Sequence, residues 1–139
     1  MTPITDTFVL VADDCPETRG EVPPGRGDGP TVPAIQHELL AARPYQLTLE
    51  DLIFETHVRR LGLTAAQVRS RGAAVRAELF AKPHPCLRAS PLTKRYGWGA
   101  HHDASGRIAL YGMETADYRR LAAAGPGLTV VKAMRTRRA

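Results

Sequence analysis

The residue types most able to do chemistry are concentrated in one run, residues 86–103. This run holds the only tryptophan of the chain, one of its two cysteines and two of its five histidines. It also carries three cations: Arg88, Lys94 and Arg95. A hydrophobic core rarely takes in so many polar groups, so the sequence predicts a functional site here.

The cations and rings of this run predict a surface for an anionic ligand. Arginine donates bidentate hydrogen bonds to phosphate or carboxylate, and lysine adds a point charge. Two aromatic rings, Tyr96 and Trp98, would share one face of an extended strand, where a planar group such as a nucleic-acid base could stack. We therefore predict that a phosphate-bearing small molecule or nucleic acid binds five residues: Arg88, Lys94, Arg95, Tyr96 and Trp98. The alternative is that both rings belong to the core and the cations solvate a turn.

A second interpretation of the same run is a small enzyme with a cysteine nucleophile. Cys86 lies near the three cations, which favour a reactive thiolate if the thiol is exposed. His101 or His102 would act as the base, and Asp103 or Asp14 would orient it. A buried, inert thiol is the structural alternative.

The run also contains residue types that bind metals, but their spacing does not predict a metal site or a cofactor. The available ligands are Cys15, His84, Cys86, His101 and His102. Adjacent histidines in a strand point to opposite faces, and a His and a Cys two residues apart match no standard zinc pattern.

A third function, without chemistry, is a protein-interaction module in which the hairpin edge pairs with the same edge of a second copy to form a homodimer.

Composition sets the broad class. The chain has 139 residues, 43% hydrophobic and 24% charged, which indicates one globular domain. Its net charge of +5 favours anionic partners. We expect no membrane span, because no apolar run approaches the ~20 residues that one requires. The start lacks the pattern of a signal peptide, and two cysteines make no disulfide framework, so we expect a cytoplasmic protein.

The elements that must position the run follow from local pattern. Strands are predicted at 7–12, 97–102, 107–112 and 128–134, the middle two forming a hairpin with its loop at 103–106. Helices are predicted at 31–43 and 64–82, and from Thr115 to the glycines at 125–127. The order predicts an α+β domain of about four mostly antiparallel strands, with three to four helices packed on one face. A flexible Gly/Pro-rich loop at 20–30 and a basic tail at 135–139 complete it.

Residues 49–61 fit two templates. Leu52, Phe54, Thr56 and Val58 alternate as in a strand, whereas Leu49, Leu52 and Ile53 group as on a helix. A capping box precedes the segment and Gly62 follows it at the position of a helix C-cap. These two signals favour the helix.

Several runs resemble a small bacterial domain family of unknown function. They are residues 7–8, 11–12, 14–16, 35–36, 38–40, 44–45, 86–99, 108–111 and 132–135, and the long run at 86–99 is the most specific. Because the runs cover almost the whole chain, the resemblance implies one intact domain. It implies no activity, cofactor or site residues.

Overall fold

The structure, a computed structural model, describes residues 1–25, 27 and 29–137. These residues form the predicted α+β fold. The described part of the chain contains four strands: β1 (Thr7–Leu10), β2 (Trp98–His102), β3 (Ile108–Gly112) and β4 (Thr129–Lys132). It contains five α-helices: α1 (Val32–Ala42), α2 (Leu49–Leu61), α3 (Ala65–Leu79), α4 (Pro91–Lys94) and α5 (Ala116–Ala122). Four positions of the predicted loop and tail lie outside the described residues: Arg26, Asp28, Arg138 and Ala139.

The strand β1 lies inside the sheet, and its unbroken apolar sequence is typical of a strand that is covered on both faces. The strand order is β3-β2-β1-β4. β1 pairs antiparallel with β2 and parallel with β4, while β2 and β3 form the predicted antiparallel hairpin. The adjacent side chains Phe8 and Val9 point to opposite faces, and both are buried, at 0% and 2% exposure. Both faces of the sheet are therefore covered at β1.

Different helices cover the two faces. Val9 shares a face with Ala100 and Ile108, and all three join the main core with apolar side chains of α1, α2 and α4. Phe8 lies on the other face, where its ring meets that of Tyr118 at 5.3 Å between centroids. α5 thus covers the face that the larger helices leave open, a placement that the sequence pattern did not predict.

The ambiguous segment at 49–61 is helical, as its flanking signals predicted. Thr48 accepts a hydrogen bond from the Asp51 backbone, and the Asp51 carboxylate accepts one from the Thr48 backbone. This capping box satisfies two amides that the helix itself leaves unpaired. Gly62 ends α2 in the left-handed conformation, with φ at 68°. Local capping therefore determines both ends of α2.

The sequence predicted no regular element between residues 86 and 95. The structure has two short helical turns there. A 3-10 turn (Leu87–Ala89) leads into α4, which Ser90 caps by accepting a hydrogen bond from the Leu92 amide at 3.2 Å. Gly97 then adopts φ of 78°, a conformation that favours glycine. Because this residue interrupts the extended backbone, regular alternation begins at Trp98 and does not include Tyr96.

Other segments cover part of both outer edges of the sheet. On β3, the Ile108 carbonyl accepts a hydrogen bond from the Tyr45 amide at 2.9 Å. On β4, the Lys132 carbonyl accepts one from Nε of Arg88 at 2.8 Å. Covered edges resist strand addition. Some backbone groups of the edge predicted to form the homodimer are therefore engaged within the chain.

Candidate functional site

The fold places the basic run beside the C-terminal end of the chain. The Arg88 side chain donates to the Lys132 carbonyl, and the Arg88 carbonyl accepts from the Met134 amide, each at 2.8 Å. Farther along, Arg95 and Arg137 line one surface cavity of about 440 Å³, together with Asp14, Pro16 and Thr136. Residues 86–96 therefore lie alongside residues 132–137, although the two segments are far apart in sequence.

These two segments form a cationic surface, which we call the basic surface. Residues 86–96 and 132–137 contain no Asp or Glu and six cations: Arg88, Lys94, Arg95, Lys132, Arg135 and Arg137. Among the described residues, Lys132 is the only one of the six in an ion pair, with Asp13 at 3.1 Å. Cations without carboxylate partners create a positive potential that attracts anions. Of the predicted site residues, Arg88 and Arg95 lie beside residues 132–137, and Lys94 is the half-buried last residue of α4, next to Arg95 in the chain.

Asp14 holds the C-terminal segment against this surface. Its carboxylate accepts hydrogen bonds from the backbone amides of Thr136 at 3.2 Å and Arg137 at 2.9 Å. The bond from Arg137 is the main cause that lowers the pKa of Asp14 below its ordinary value. Asp14 also lines the cavity of Arg95 and Arg137, so this cavity has one carboxylate beside two guanidinium groups. The predicted orienting role of Asp14 toward a histidine has no counterpart in these contacts.

The indole of Trp98 is half-buried and held on several sides. Its Nε1–H donates to the Glu21 carbonyl at 2.8 Å, and its ring centroid lies 5.0 Å from that of His37. Gly20 packs so closely on the six-membered ring that a Cβ there would lie 2.9 Å from it. Tyr96 is also half-buried, and its carbonyl accepts from the Glu21 amide at 2.8 Å. The start of the loop at 20–30 therefore lies over the Trp98 ring and is hydrogen-bonded to the backbone of Tyr96.

His101 belongs to a hydrogen-bonded cluster that the sequence did not predict. Its Nδ1 lies 2.8 Å from the Tyr45 hydroxyl, which in turn lies 2.6 Å from the Tyr111 hydroxyl. Partial burial lowers the pKa of His101 and raises that of Tyr45. Tyr45 reaches this position through a left-handed backbone with φ at 57°, a rare conformation for a tyrosine. The cluster lies on the sheet face that α5 only partly covers.

His102 lies on the opposite face and is completely buried. Neither ring nitrogen has a hydrogen-bond partner within the described residues. Burial lowers the pKa of His102 to about 4, so the ring is neutral at physiological pH. A neutral imidazole without access to solvent has no route by which to exchange protons with a substrate. Within the described residues, no hydrogen bond of the His102 ring connects it to the basic surface.

Cys86 is half-buried and packs against the main core. It lines a cavity with Phe80, Pro83 and His84, and neither His101 nor His102 is among the described residues of that lining. Asp103 instead accepts backbone hydrogen bonds within its own hairpin loop. Among the described residues that line this cavity, Cys86 therefore has neither of the predicted histidines and neither of the predicted carboxylates, Asp103 and Asp14, beside it. Among the described residues, no group of three or more metal-binding side chains is arranged around a common point.

Sequence reasoning missed the partners of the predicted residues more often than the residues themselves. Asp14 and Pro44-Tyr45 belong to runs that support the family resemblance, yet their types alone do not indicate what they contact. A left-handed Tyr45 and a carboxylate that accepts backbone amides have no local sequence signature. The basic tail did carry a signal, its charge, and this signal is the same as that of residues 88–95.

Comparison with known proteins gives a family without an assigned activity. Residues 2–139 match the family described as "Family of unknown function (DUF6157)". Neither the curated proteins nor the solved structures provide a match to the chain. Within the described residues, every helix falls short of the length and apolar character needed to cross a membrane.

Proposed function

The chain belongs to DUF6157, a family of unknown function, and we propose that it binds a phosphate-bearing ligand on the basic surface. The observation that carries this proposal is the convergence of two separate cationic segments. Arg95 and Arg137 line the same cavity, and Arg88 lies beside residues 132–134. Nucleotides and nucleic acids are the ligands of this chemistry. We propose a cytoplasmic site of action, since both cysteines are free thiols.

The geometry supports contact through charge more strongly than through stacking. Nε of Arg88 is bonded to the sheet edge, which fixes the side chain and leaves its terminal nitrogens to bind phosphate. Tyr96 is half-buried beside Arg95 and is the ring that we assign to ligand contact. Trp98 is packed by Gly20 and His37, so we assign it a supporting role under the loop.

The test is binding of a fluorescein-labelled single-stranded oligonucleotide, measured by anisotropy, with ATP titrated in a separate arm. The double variant Arg95→Gln/Arg137→Gln should weaken binding of the oligonucleotide by about tenfold or more. The variant neutralises fewer phosphates, so fewer counterions leave the oligonucleotide when it binds. The slope of log affinity against log salt should fall by about 1.4 for two lost contacts to a single strand. If ATP alone binds, the ligand is a small phosphate compound.

A matched control separates a site from a general effect of net charge. Arg69 and Arg71 are exposed on α3, outside the basic surface. The variant Arg69→Gln/Arg71→Gln removes the same total charge and should keep binding within about threefold of the parent, since it changes only the long-range field. Equal losses in the two double variants would contradict a defined site, as would the absence of binding to both ligands.

A further inference from the structure

Residues 16–25, which we call the strap, connect the basic surface to the indole of Trp98. Pro16 lines the cavity beside Arg95 on the basic surface. Four residues later, Gly20 lies against the six-membered ring of Trp98. Because four residues span at most ~14 Å, the cavity and the indole are within reach of one short oligonucleotide.

Gly20 lies over the face of the indole and not at its edge. A Cβ added to Gly20 would be 2.9 Å from one atom of the six-membered ring and 3.0 Å from the two atoms beside it. A position beyond the ring edge would be much closer to one atom than to its neighbours. The strap therefore occupies a place where a planar group would stack on Trp98.

Three hydrogen bonds at two adjacent residues dock the strap. The Gly20 amide donates to the Glu114 carboxylate at 2.9 Å, and the Glu21 amide donates to the Tyr96 carbonyl at 2.8 Å. The Glu21 carbonyl accepts from Nε1 of Trp98 at 2.8 Å. The strap is thus docked through its backbone, on the same residues that the sequence predicted to contact a ligand.

The strap buries little apolar surface. The structure describes all of residues 16–25, and among them only Pro23 is buried, while Val22 is 70% exposed. None of these residues belongs to the main core cluster. Segments with few buried apolar contacts open at a lower free energy than the sheet they lie on. Opening of the strap therefore breaks a few hydrogen bonds and leaves the core intact.

We propose that the strap is autoinhibitory: Gly20 closes the indole face of Trp98, and a nucleobase of the ligand takes its place when the strap opens. The proposal rests on the proposed function, because the phosphates of the same ligand lie on the basic surface. Nucleobases stack on aromatic rings whatever their sequence. Trp98 supports the strap in the closed state and contacts the ligand in the open one, so closure lowers the affinity for base-bearing ligands.

Hydrogen exchange of the ¹⁵N-labelled full chain tests the opening without any ligand. Trp98 is the only tryptophan of the chain, so its Nε1–H gives a single NMR signal. This proton and the amides of Gly20 and Glu21 are the donors of the docking bonds. They should share one protection factor, at least about a hundredfold below that of the amides in β2. Protection equal to that of β2 would mean that the strap opens only when the whole fold unfolds, and would overturn the proposal.

Two variants open the strap by different means. In Gly20→Ala the added Cβ collides with the indole, and acrylamide quenching of Trp98 fluorescence should rise about twofold or more as the open fraction grows. Glu114→Gln weakens the bond to the Gly20 amide without adding an atom, and quenching should rise in the same direction. Gly25→Ala is the matched control, since its Cβ would meet nothing closer than 3.5 Å and quenching should not change.

A base-free ligand separates stacking from charge. The ligands are an oligothymidylate of about eight nucleotides and an abasic strand of equal length, both measured by anisotropy. Gly20→Ala should bind oligothymidylate about fivefold more tightly than the parent and the abasic strand within about twofold, because only the bases need the indole. In a third arm, an equal gain for ATP would identify a mononucleotide as a sufficient ligand, and a gain for oligothymidylate alone would identify a strand.

The results distinguish failure of the strap from failure of the proposed function. Equal gains for the thymidylate and abasic strands would contradict the strap, since charge alone would explain them. Unchanged thymidylate affinity in Gly20→Ala, despite increased quenching, would do the same. If Arg95→Gln/Arg137→Gln still weakens binding in that case, the basic surface stands without the strap. Absence of binding in both the parent and Gly20→Ala would overturn both proposals.

Discussion

The fully buried His102 makes the stability of the fold depend on pH, with a sign and size that follow from its surroundings. In the unfolded chain a histidine gains a proton near pH 6.5, whereas in the fold burial lowers the pKa of His102 to about 4. Between these two values only the unfolded chain takes up this proton. The free energy of unfolding therefore falls as the pH drops from 6.5 to 4, and this contribution stops changing below pH 4.

The magnitude follows from the difference between the two pKa values. One pKa unit corresponds to about 1.4 kcal/mol, so a fall from 6.5 to about 4 removes about 3 kcal/mol of unfolding free energy. This is a large fraction of the ~5–15 kcal/mol of a typical domain. His37 and His101 are also held at lowered pKa by burial and add to the slope in the same direction. A variant of His102 is therefore needed to isolate its share.

His102→Leu replaces the imidazole by a group of similar volume that cannot titrate. At pH 7.5 we expect it to be at least as stable as the parent, because it removes two buried ring nitrogens without partners. Between pH 7.5 and pH 4 it should lose about 3 kcal/mol less than the parent. Urea unfolding at several pH values, followed by far-ultraviolet circular dichroism, measures both quantities.

His101→Leu is the matched control, since His101 lies on the same strand but is only half-buried. Part of its charge stays hydrated, so this variant should remove less of the pH dependence than His102→Leu. Parallel loss of stability in the parent and His102→Leu down to pH 4 would refute the reasoning. Direct observation of a His102 ring that titrates near pH 6.5 in the folded protein would refute it as well.

Three further changes test the contacts around the site. Gly97→Ala should cost about 3 kcal/mol in urea unfolding, because a left-handed alanine is strained and its Cβ would collide with a carbonyl oxygen of the overlying loop. Tyr45→Phe should cost about 1–2 kcal/mol by the same measurement, since it loses hydrogen bonds to His101 and to a second tyrosine; an unchanged midpoint would mean that water replaces them. Asp14→Asn should speed hydrogen exchange of the amides at 136–137. In the parent, the protection of these amides relative to the intrinsic exchange rate should fall as the pH drops through the lowered pKa of Asp14, and unchanged protection in Asp14→Asn would contradict the role of these hydrogen bonds.

The sequence predicted most elements because their signals are local. Thr48 and Thr64 both begin capping boxes, and a left-handed Gly62 ends α2, so these helices are determined by the residues at their own ends. The hairpin of β2 and β3 is equally local, with a short loop between its strands. One local signal was overlooked: Ser90 followed by Pro91 is an N-cap followed by a favoured first helical residue, and it begins α4.

Other features depend on contacts between distant residues, which one sequence does not reveal. The choice of β4 as the parallel neighbour of β1 depends on packing across the whole chain. The same holds for α5, which covers the second face of the sheet through Tyr118. The type of an element follows from periodicity, but its partner follows from which apolar faces remain uncovered once the main core has formed.

The candidate site shows the same limit at the level of single side chains. Arg88 was predicted from its type as a ligand-binding cation, and the fold uses its Nε to cover the free edge of β4. These two roles are compatible because a guanidinium carries several donors in a fixed plane, so one nitrogen can bind a carbonyl while the others face a ligand. A lysine also has several donors, but they share one nitrogen and no fixed plane, so it would hold the carbonyl and the ligand in less defined positions. The basic surface is therefore coupled to the sheet edge through one residue, and a ligand bound there would hold residues 86–96 and the tail together.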